Sequence, residues 1–395
     1  MTIQAGVGVS HDRNPHRAGQ EAAEKALAAA GVSRPDFVFM FSTVGYPQAA
    51  VLASVRETTG NAPLTGCSGE GIIARDIADE SNFSVAVMAI KSDEIRLAGG
   101  LETGLKADPG NVGRRIGEAV RSMGDDEAAI LFVLGDGLTI NFDRFYRGLQ
   151  ETRAGRPPLP LFGGVSADNW AFKQTYQYGD GKVVSDGVAW ALLSGKVRIH
   201  SGVNHGCVPM GGKRRVTRSA GNVIYEIDGR PALEVLKEYL LPEEIDNWSK
   251  AVINLCLGFK TPAVMAGYDE FMIRFIPGKD DTCGSINIQT EVAEGSEIWM
   301  TRRDPDKMAA GLKDLGSRIK ADLAGAAPKL VFQFDCCGRG KVILPEPRKL
   351  ELLKELQAQV GPEAPWIGFY TLGEIGPVGS HDCFHNYTVV LAAIA

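Results

Sequence analysis

The chain has 395 residues, of which 44% are hydrophobic and 23% are charged, a composition typical of a globular protein with two or three domains. A net charge of −6 argues against the basic face of a general nucleic-acid-binding protein, so no nucleic-acid partner is expected. Seven irregularly spaced cysteines predict neither a disulfide framework nor a zinc site, and without a long apolar run or a secretion signal we expect no membrane insertion and a cytoplasmic location.

The first predicted elements lie near the N-terminus. Residues 18–30 are rich in strong helix formers and stop at Gly31, so they predict a helix. The uninterrupted apolar run at 36–41 is typical of a buried strand. A second helix is expected over 48–59, and a further strand over 83–90. These segments give the order strand, helix, turn, strand.

The same order occurs three times along the chain. Each copy has an apolar strand, a helix, a Pro-x-x-Gly tetrapeptide and a polar, glycine-rich turn before its last strand, and the turns follow Pro63, Pro160 and Pro365. Strands interleaved with helices predict an α/β fold, here two domains with mixed α/β sheets built from repeated strand-helix-turn-strand units. The matched turns could line one site. The later copies comprise 129–134, 142–152 and 187–193, then 329–334, 346–359 and 387–394.

A different region separates the second and third copies. Residues 197–203 alternate between apolar and polar and predict a strand, while residues 216–229 have the two apolar runs and the Gly-Asn turn of a β-hairpin. Pro231 is expected to start a helix over 232–239. We place the domain boundary inside the hairpin, where no low-complexity linker occurs. The predicted domains are residues 1–225 and 226–395.

Several motifs, in this order, resemble those of FIST-domain proteins, and the resemblance covers nearly the whole chain. It implies that residues 1–225 are an N-terminal FIST domain and that residues 226–395 are a C-terminal FIST domain. The motifs are Gly66–Glu70, Gly206–Pro209, Ile227–Ala232, Cys337–Gly340, Gly368-Phe369, Gly373–Pro377 and His385-Asn386.

The FIST resemblance implies a bacterial sensory protein without enzymatic activity. A protein of this kind binds a small ligand, here between its two domains, and passes a signal to another protein. Family members are often fused to, or encoded near, histidine kinases, cyclic-di-nucleotide enzymes or chemotaxis components. Because this chain carries no appended output domain, we expect a separate histidine kinase or cyclic-di-nucleotide enzyme as its partner. A homodimer is also compatible with the resemblance.

The candidate ligand-binding residues lie in the three turns and beside the third. The Arg339 guanidinium could bind a ligand carboxylate or phosphate, or form a structural ion pair with Glu374. Glu70 and Glu374 occupy matching positions in the first and third turns, where a carboxylate binds a ligand amine or caps backbone N–H groups. The smaller polar residues of the turns either contact the ligand or bond locally to the backbone. The remaining candidates are Cys67, Ser68, Gly69, Ser166, Asp168 and Thr371.

One branch of stand-alone FIST proteins binds haem and senses nitric oxide, and the size and layout of this chain suit that branch as well as others. His385 is the candidate axial ligand, because imidazole is a common ligand of haem iron. His200 and His205 form a second candidate cluster. The sequence has no Cys-x-x-Cys-His motif, so any haem would be non-covalent haem b.

Two other functions stay open: a cysteine-dependent enzyme with Cys67 or Cys337 as its nucleophile, and a docking protein without a ligand. A nucleophilic thiol needs a lowered pKa, whereas a buried cysteine is usually inert. Residues 69–74 fit the dinucleotide-binding pattern G-x-G-x-x-A, but too few residues follow for a helix to return across the sheet. A serine hydrolase is disfavoured because Glu70 replaces the last glycine of the nucleophile-elbow motif.

Overall fold

The computed structural model describes residues 3–124, 127–265 and 267–395, and it confirms the mixed α/β fold class. Three units have the same order of elements, and an additional lobe is inserted into the third. Each unit runs through strand, helix, strand, helix and strand, then a two-stranded hairpin and a last strand. The repeated sequence pattern therefore reflects three structurally equivalent units.

The first unit shows why its helices begin and end where they do. The Asn14 side chain accepts hydrogen bonds from the backbone amides of His16 and Arg17 at the start of the first helix, and Gly31 (φ 67°) ends it. The elements are β1 (Ile3–Ser10), α1 (Pro15–Ala30), β2 (Phe37–Ser42), α2 (Gln48–Thr58), β3 (Leu64–Ser68), β4 (Gly71–Ala74), β5 (Ile77–Asp79) and β6 (Val85–Ser92).

The second unit follows directly. Asp108 and Asn141 cap its two helices, each accepting a hydrogen bond from a backbone amide of the first turn. The elements are β7 (Ile95–Thr103), α3 (Pro109–Ser122), β8 (Ala128–Asp136), α4 (Phe142–Glu151), β9 (Leu161–Ser166), β10 (Gln177–Gly179), β11 (Lys182–Val184) and β12 (Gly187–Gly195).

The third unit is interrupted after its first strand, β13 (Ile199–His205), by the inserted lobe of residues 207–303. The lobe comprises β14 (Cys207–Ala220), β15 (Val223–Ile227), β16 (Arg230–Pro231), α5 (Ala232–Lys237), α6 (Pro242–Ile245), α7 (Trp248–Asn254), β17 (Cys256–Lys260), β18 (Phe271–Arg274), β19 (Gly278–Asp280), β20 (Ser285–Asn287) and β21 (Glu297–Arg303). The unit then continues through α8 (Pro305–Leu323), β22 (Leu330–Cys336), α9 (Glu346–Val360), β23 (Trp366–Thr371), β24 (Gly373–Val378), β25 (His381–His385) and β26 (Thr388–Ile394).

The hairpin of each unit joins the sheet of another unit. β4 of the first unit pairs with β23 of the third, β24 of the third with β9 of the second, and β10 of the second with β3 of the first. The three resulting six-stranded sheets therefore contain four strands of one unit and two of another. Within each unit, only the second and third strands are parallel neighbours. The exchange links the three units in a closed ring.

The three sheets face one another across a shared aromatic core. Phe39, Phe132 and Phe332 come from the equivalent strands β2, β8 and β22, and their ring centroids lie 5.2, 5.0 and 4.5 Å apart. All three are buried. The helices cover the opposite faces of the sheets, where they form separate apolar clusters. This arrangement explains why the strands read as continuous apolar runs rather than alternating ones.

The glycine of each Pro-x-x-Gly tetrapeptide is required for steric reasons. A Cβ atom on Gly66 would lie 1.8 Å from the carbonyl oxygen of Met40 on the neighbouring strand. Gly163 and Gly368 occupy the same position in the other two units and meet the same obstruction. Only glycine allows this close approach between parallel strands.

Several sequence expectations can be compared with these bounds. The strand predicted at 197–203 lies at Ile199–His205, and the helix predicted over 232–239 ends at Lys237. Residues 71–74 form a strand, so the first turn does not open the helix that a dinucleotide site requires. The boundary predicted near residue 225 falls inside β15. No helix in the described ranges has the length and apolar character needed to cross a membrane.

Candidate functional site

The three turns that lead into the exchanged hairpins contact one another at the carboxyl ends of the parallel strands. Each turn is joined to the next by a backbone hydrogen bond. The donor and acceptor pairs are Ala167 N to Ser68 O (3.1 Å), Leu372 N to Val165 O (3.1 Å) and Glu70 N to Tyr370 O (2.9 Å). We call residues 66–71, 163–169 and 368–376 the turn junction. The repeated motif thus brings its three copies to one place.

The small polar groups of the turn junction bond to the protein itself. The Ser68 hydroxyl donates to the Ala167 carbonyl (2.7 Å), and the Ser166 hydroxyl donates to the Gly135 carbonyl (3.0 Å). The backbone N–H of Gly69 donates to the carbonyl at the end of β2 (2.9 Å). Both serines are buried. Both hydroxyls bond to carbonyls of segments distant in sequence rather than to their own turns, and ligand contact by either serine stays a prediction.

Asp168 holds the loop that follows the second turn. Its carboxylate accepts hydrogen bonds from the backbone amides of Phe172 (2.9 Å), Lys173 (2.5 Å) and Gln174 (2.9 Å). The loop carries backbone strain, because three of its residues other than glycine adopt the left-handed conformation. They are Asn169 (φ 58°), Trp170 (φ 60°) and Phe172 (φ 50°).

Glu70 is a buried carboxyl group with only part of its bonding capacity used. Oε1 accepts a hydrogen bond from the backbone N–H of Trp170 (2.7 Å), while Oε2 and the Trp170 indole N–H have no hydrogen-bond partner among the described residues. Burial raises the pKa of Glu70 to about 8, against the opposing effects of the Trp170 N–H and the Lys341 charge. Glu70 is therefore mostly a neutral acid at pH 7.

Glu374 occupies the matching place in the third turn but is fully bonded. Oε1 accepts a hydrogen bond from the Thr371 hydroxyl, and Oε2 accepts one from the backbone N–H of Thr388 (3.1 Å). Burial, together with the nearby Cys336 and Asp335, raises the pKa of Glu374 well above its usual value. In this arrangement both Glu374 and Thr371 stabilise the turn.

Arg339 forms its ion pair with a different partner from the one suggested by the sequence. Its Nε donates to Asp335 Oδ1 (2.8 Å), four residues earlier, and not to Glu374. Nη1 has no partner in the described part of the chain. The adjoining cavity, lined by Arg339, Asp335 and Tyr370 among others, measures only about 20 Å³, which is room for about one water molecule. Ligand contact by Arg339 stays a prediction.

Two of the cysteines were candidate nucleophiles. Cys67 lies on β3 and Cys337 follows β22, and both are buried. Burial raises the pKa of both thiols well above the usual value, and the adjacent Cys336 raises that of Cys337 further. A nucleophilic thiol needs the opposite shift and access to substrate, so this geometry does not support thiol chemistry.

His385 lies on β25 with its imidazole inside the protein. Nε2 lies 3.0 Å from the Gly376 carbonyl oxygen, and the residue is 1% exposed. Burial lowers its pKa to about 3, so the ring is neutral. In this arrangement the residue does not fit a haem ligand, because Nε2 is engaged and little of the ring reaches the surface. Haem ligation stays a prediction that requires the imidazole to leave this site.

An open cleft lies elsewhere, beside β13. It consists of two adjoining cavities of about 480 and 300 Å³, and we call it the β13 cleft. Both cavities are lined by Val203, Gly267, Tyr268 and Arg318. The larger cavity is also lined by Asn204, His205, Asp269, Gly311, Asp314 and Ser317, and the smaller by Ser201, Gly202, Pro377, Val378 and Gly379. Such volumes suit a small ligand.

The polar groups at the base of the β13 cleft form a fixed network. Nε2 of His205 lies 3.2 Å from Asp269 Oδ1, close enough for an electrostatic contact but without hydrogen-bond geometry, and Lys307 Nζ lies 2.9 Å from Asp269 Oδ2. Burial alone would raise the pKa of Asp269, but these two partners lower it well below its usual value. Nδ1 of His205 accepts a hydrogen bond from the Cys207 backbone (3.0 Å), which assigns the ring proton to Nε2. The Asp269 carboxylate is therefore ionised, and the positive charge of Lys307 neutralises it.

Two other polar atoms of the cleft are unpaired. The Tyr268 hydroxyl and the Asn204 side-chain oxygen are shielded from solvent, and neither has a hydrogen-bond partner among the residues that the structure covers. Buried polar atoms are normally bonded, because leaving one unbonded costs free energy. A bound molecule would satisfy both once the Tyr268 and Asn204 side chains turn these atoms into the cavity.

Sequence reasoning missed most of this cleft. It named His205 only as an alternative haem ligand and named no residue of 267–269 or 311–318. The one available signal was the spacing of Asp314 and Arg318, four residues apart on a predictable helix. The cleft forms between β13 and a lobe loop that lies more than fifty residues away in sequence, so no local pattern could reveal it.

Curated relatives resemble this chain, two of them over nearly its full length and a third over part of it. An uncharacterized protein of Mycobacterium tuberculosis is 28% identical over 404 residues, covering 99% of each chain. An uncharacterized protein of Mycobacterium bovis is 26% identical over 404 residues, covering 99% of this chain and 98% of its own. An uncharacterized protein of Methanocaldococcus jannaschii is 36% identical over 126 residues, 31% of this chain and 21% of its own.

Two solved structures show weaker similarity. A chorismatase covers 100% of this chain and 99% of its own, at 11% identity and a TM-score of 0.37. A cyanuric acid hydrolase from A. caulinodans covers 49% of this chain and 71% of its own, at 12% identity and a TM-score of 0.27. At these scores neither structure supports an argument about the chemistry of this chain.

Protein-family models match two consecutive regions. The FIST N domain matches residues 36–230, and the FIST C domain matches residues 232–377. FIST domains are associated with sensory signalling and ligand binding. β13 lies in the first region, while Tyr268 and α8 lie in the second, so the β13 cleft lies between the two. The chain belongs to the FIST family, with a FIST N domain followed by a FIST C domain.

Proposed function

We propose that this protein is a non-enzymatic sensor that binds a small ligand in the β13 cleft, between its FIST N and FIST C regions, and regulates a separate signalling partner. One observation carries the proposal: the cleft is an open cavity whose lining residues Tyr268 and Asn204 each hold a polar atom, shielded from solvent, that has no hydrogen-bond partner among the described residues. The turn junction also holds unpaired atoms, Glu70 Oε2 among them, but its three turns are joined by their own hydrogen bonds and the cavity lined by its Tyr370 measures only about 20 Å³. The cleft therefore offers both the space and the unused bonding capacity that a ligand requires.

The position of the cleft suits signal transmission. Its walls come from β13, from the lobe loop at 267–269, from α8, and from the turn at 377–379, which belongs to the hairpin held in the sheet of the second unit. A ligand that contacts all four walls can favour one arrangement of them over another. The expected recipient is a separate histidine kinase or cyclic-di-nucleotide enzyme, as the family resemblance implies.

The first prediction tests ligand binding through Tyr268→Phe. Because the Tyr268 hydroxyl has no partner in the described structure, its removal should leave the thermal midpoint unchanged or slightly raised. Affinity for a cleft ligand should fall about three- to tenfold, the usual effect of one neutral hydrogen bond. Candidate ligands would be identified by native mass spectrometry of the purified protein and by a thermal-shift screen of small polar metabolites. Their affinities would be measured by calorimetry.

Tyr225→Phe is the matched control, because Tyr225 lies on β15 and does not line the cleft. It should bind the same ligand with unchanged affinity. Equal affinity in wild type and Tyr268→Phe would place the ligand outside the cleft. An absorption spectrum of the same protein, recorded after expression with haem supply, tests the haem prediction separately, since a haem protein shows a Soret band.

A further inference from the structure

We infer that the ligand of the β13 cleft carries an anionic group, a carboxylate or a phosphate, which binds Arg318. This inference rests on the proposed function and names the class of ligand for the same cleft. Among the described residues, Arg318 is the one charged residue that lines both cavities. Any molecule that fills either cavity therefore lies beside Arg318.

Arg318 has no competing anion among the residues that the structure describes. No carboxylate of the described residues lies within the 4.0 Å that defines an ion pair with it. Asp314 precedes it by one helical turn on α8, a spacing at which an acid and a base commonly pair. The two side chains do not pair, although both line the cleft. The positive charge of Arg318 is thus available to a ligand.

The smaller cavity favours an anion most clearly. Arg318 is the only charged residue in its lining as described, and the other walls include the Ser201 hydroxyl and three glycines, Gly202, Gly267 and Gly379. Glycines let a ligand approach the backbone closely. A planar guanidinium with several N–H donors matches the two oxygens of a carboxylate or phosphate.

The acidic residues of the larger cavity do not cancel this charge. Asp269 is already paired with Lys307 at 2.9 Å and contacts His205. Asp314 lines only the larger cavity, so its charge lies toward that half of the cleft. The anionic group should therefore occupy the half that contains Ser201 and Gly379, with the rest of the ligand in the larger half.

The test compares Arg318→Gln with Asp314→Asn in the full chain. Each change replaces a charged side chain of α8 that lines the cleft with an uncharged amide. Arg318→Gln removes a positive charge, and Asp314→Asn removes a negative charge. The probes are inorganic phosphate and succinate, titrated at constant ionic strength and followed by calorimetry and thermal shift. Tetramethylammonium is the cationic control probe.

We expect wild type to bind phosphate or succinate and not tetramethylammonium. Arg318→Gln should weaken the binding at least about tenfold, because a charge-assisted hydrogen bond is lost. Asp314→Asn should bind the anion as tightly as wild type or more tightly. Phosphate binding without succinate binding would assign a phosphate ligand, and the converse would assign a carboxylate.

The results distinguish a failure of this inference from a failure of the proposed function. Equal anion affinity in wild type and Arg318→Gln overturns the inference. The inference is also wrong if a ligand from the screen binds Tyr268→Phe more weakly than wild type but binds Arg318→Gln with unchanged affinity. That result does not contradict the proposed function. If neither the anions nor any screened molecule binds wild type, the proposed function fails and the inference fails with it.

Discussion

Glu70 shows how a single buried carboxyl group can make stability depend on pH. Its raised pKa, about 8, means that the folded protein keeps a proton that the unfolded chain releases near its ordinary pKa of 4.5. The stabilising contribution of the protonated form is complete below pH 4.5. It is lost progressively as the pH rises through 8.

Glu70→Gln should flatten this dependence. The amide oxygen keeps an acceptor for the Trp170 N–H but cannot ionise, so the free energy of unfolding should fall less between pH 4.5 and pH 8 than it does in wild type. The difference is at most about 5 kcal/mol, since one pKa unit corresponds to 1.36 kcal/mol. Urea denaturation at several pH values measures it, and parallel profiles for the two proteins would contradict the assignment.

For single residues, the sequence indicated which polar side chains lie in the turns but not which groups they bond to. Matching turn positions made Glu70 and Glu374 candidates for ligand contact, which stays a prediction, and burial raises the pKa of both carboxyl groups. The pattern could not show that Thr371 and the Thr388 backbone satisfy Glu374, or that Asp335 takes the Arg339 ion pair. Hydrogen-bond partners depend on how distant segments meet, and the turn sequences do not record this.

The exchanged hairpin β4–β5 is fixed to the third unit by a buried ion pair. Lys349 Nζ on α9 lies 2.7 Å from Glu80 Oε2, and the two side chains are 3% and 2% exposed. The Lys341 backbone N–H also donates to Glu80 Oε2 (2.7 Å), and Gln357 donates to the Ala74 carbonyl (3.0 Å). These contacts hold two strands of the first unit against a helix of the third.

Lys349→Met should therefore destabilise the protein strongly. It leaves the Glu80 charge buried without its main partner, and such losses cost about 3–5 kcal/mol. Urea denaturation at pH 7 measures the change. The control is Arg348→Gln, which removes the exposed ion pair with Glu351 on the same helix and should have little effect. Equal effects of the two changes would show that the buried pair does not anchor the hairpin.

Several helices and long strands were predictable because they carry local signals. Gly31 marks the end of α1, which was predicted over residues 18–30 and begins at Pro15, and the apolar runs mark β2, β8 and β22. The helices α3 and α8 were not predicted. The hairpin strands β4 and β5 have four and three residues. They pair with another unit, so their conformation depends on a surface that the local sequence does not include.

Across the whole molecule, the shared core makes the three units interdependent. Phe332 contacts Phe39 and Phe132, each from a different unit. Phe332→Ala should lower the free energy of unfolding by about 3–5 kcal/mol, because it opens a cavity that all three sheets border. Loss of far-UV circular dichroism and the change in tryptophan fluorescence should still coincide.

Phe259→Ala is the comparison, because Phe259 is partly buried and lies in the inserted lobe. Its effect should be smaller. A Phe332→Ala protein in which one unit melts at a separate, lower temperature would show that the units are stable independently. That result would contradict the expectation that the three units unfold cooperatively.

The exchanged hairpins also constrain how the chain folds as it is made. Ile72 of the first unit pairs with Phe369 of the third, so one edge of β4, which also pairs with β5, stays unpaired until β23 has been synthesised. Contacts this distant in sequence slow folding and prolong the exposure of strand edges. The ring that positions the β13 cleft therefore closes only after the third unit has been synthesised.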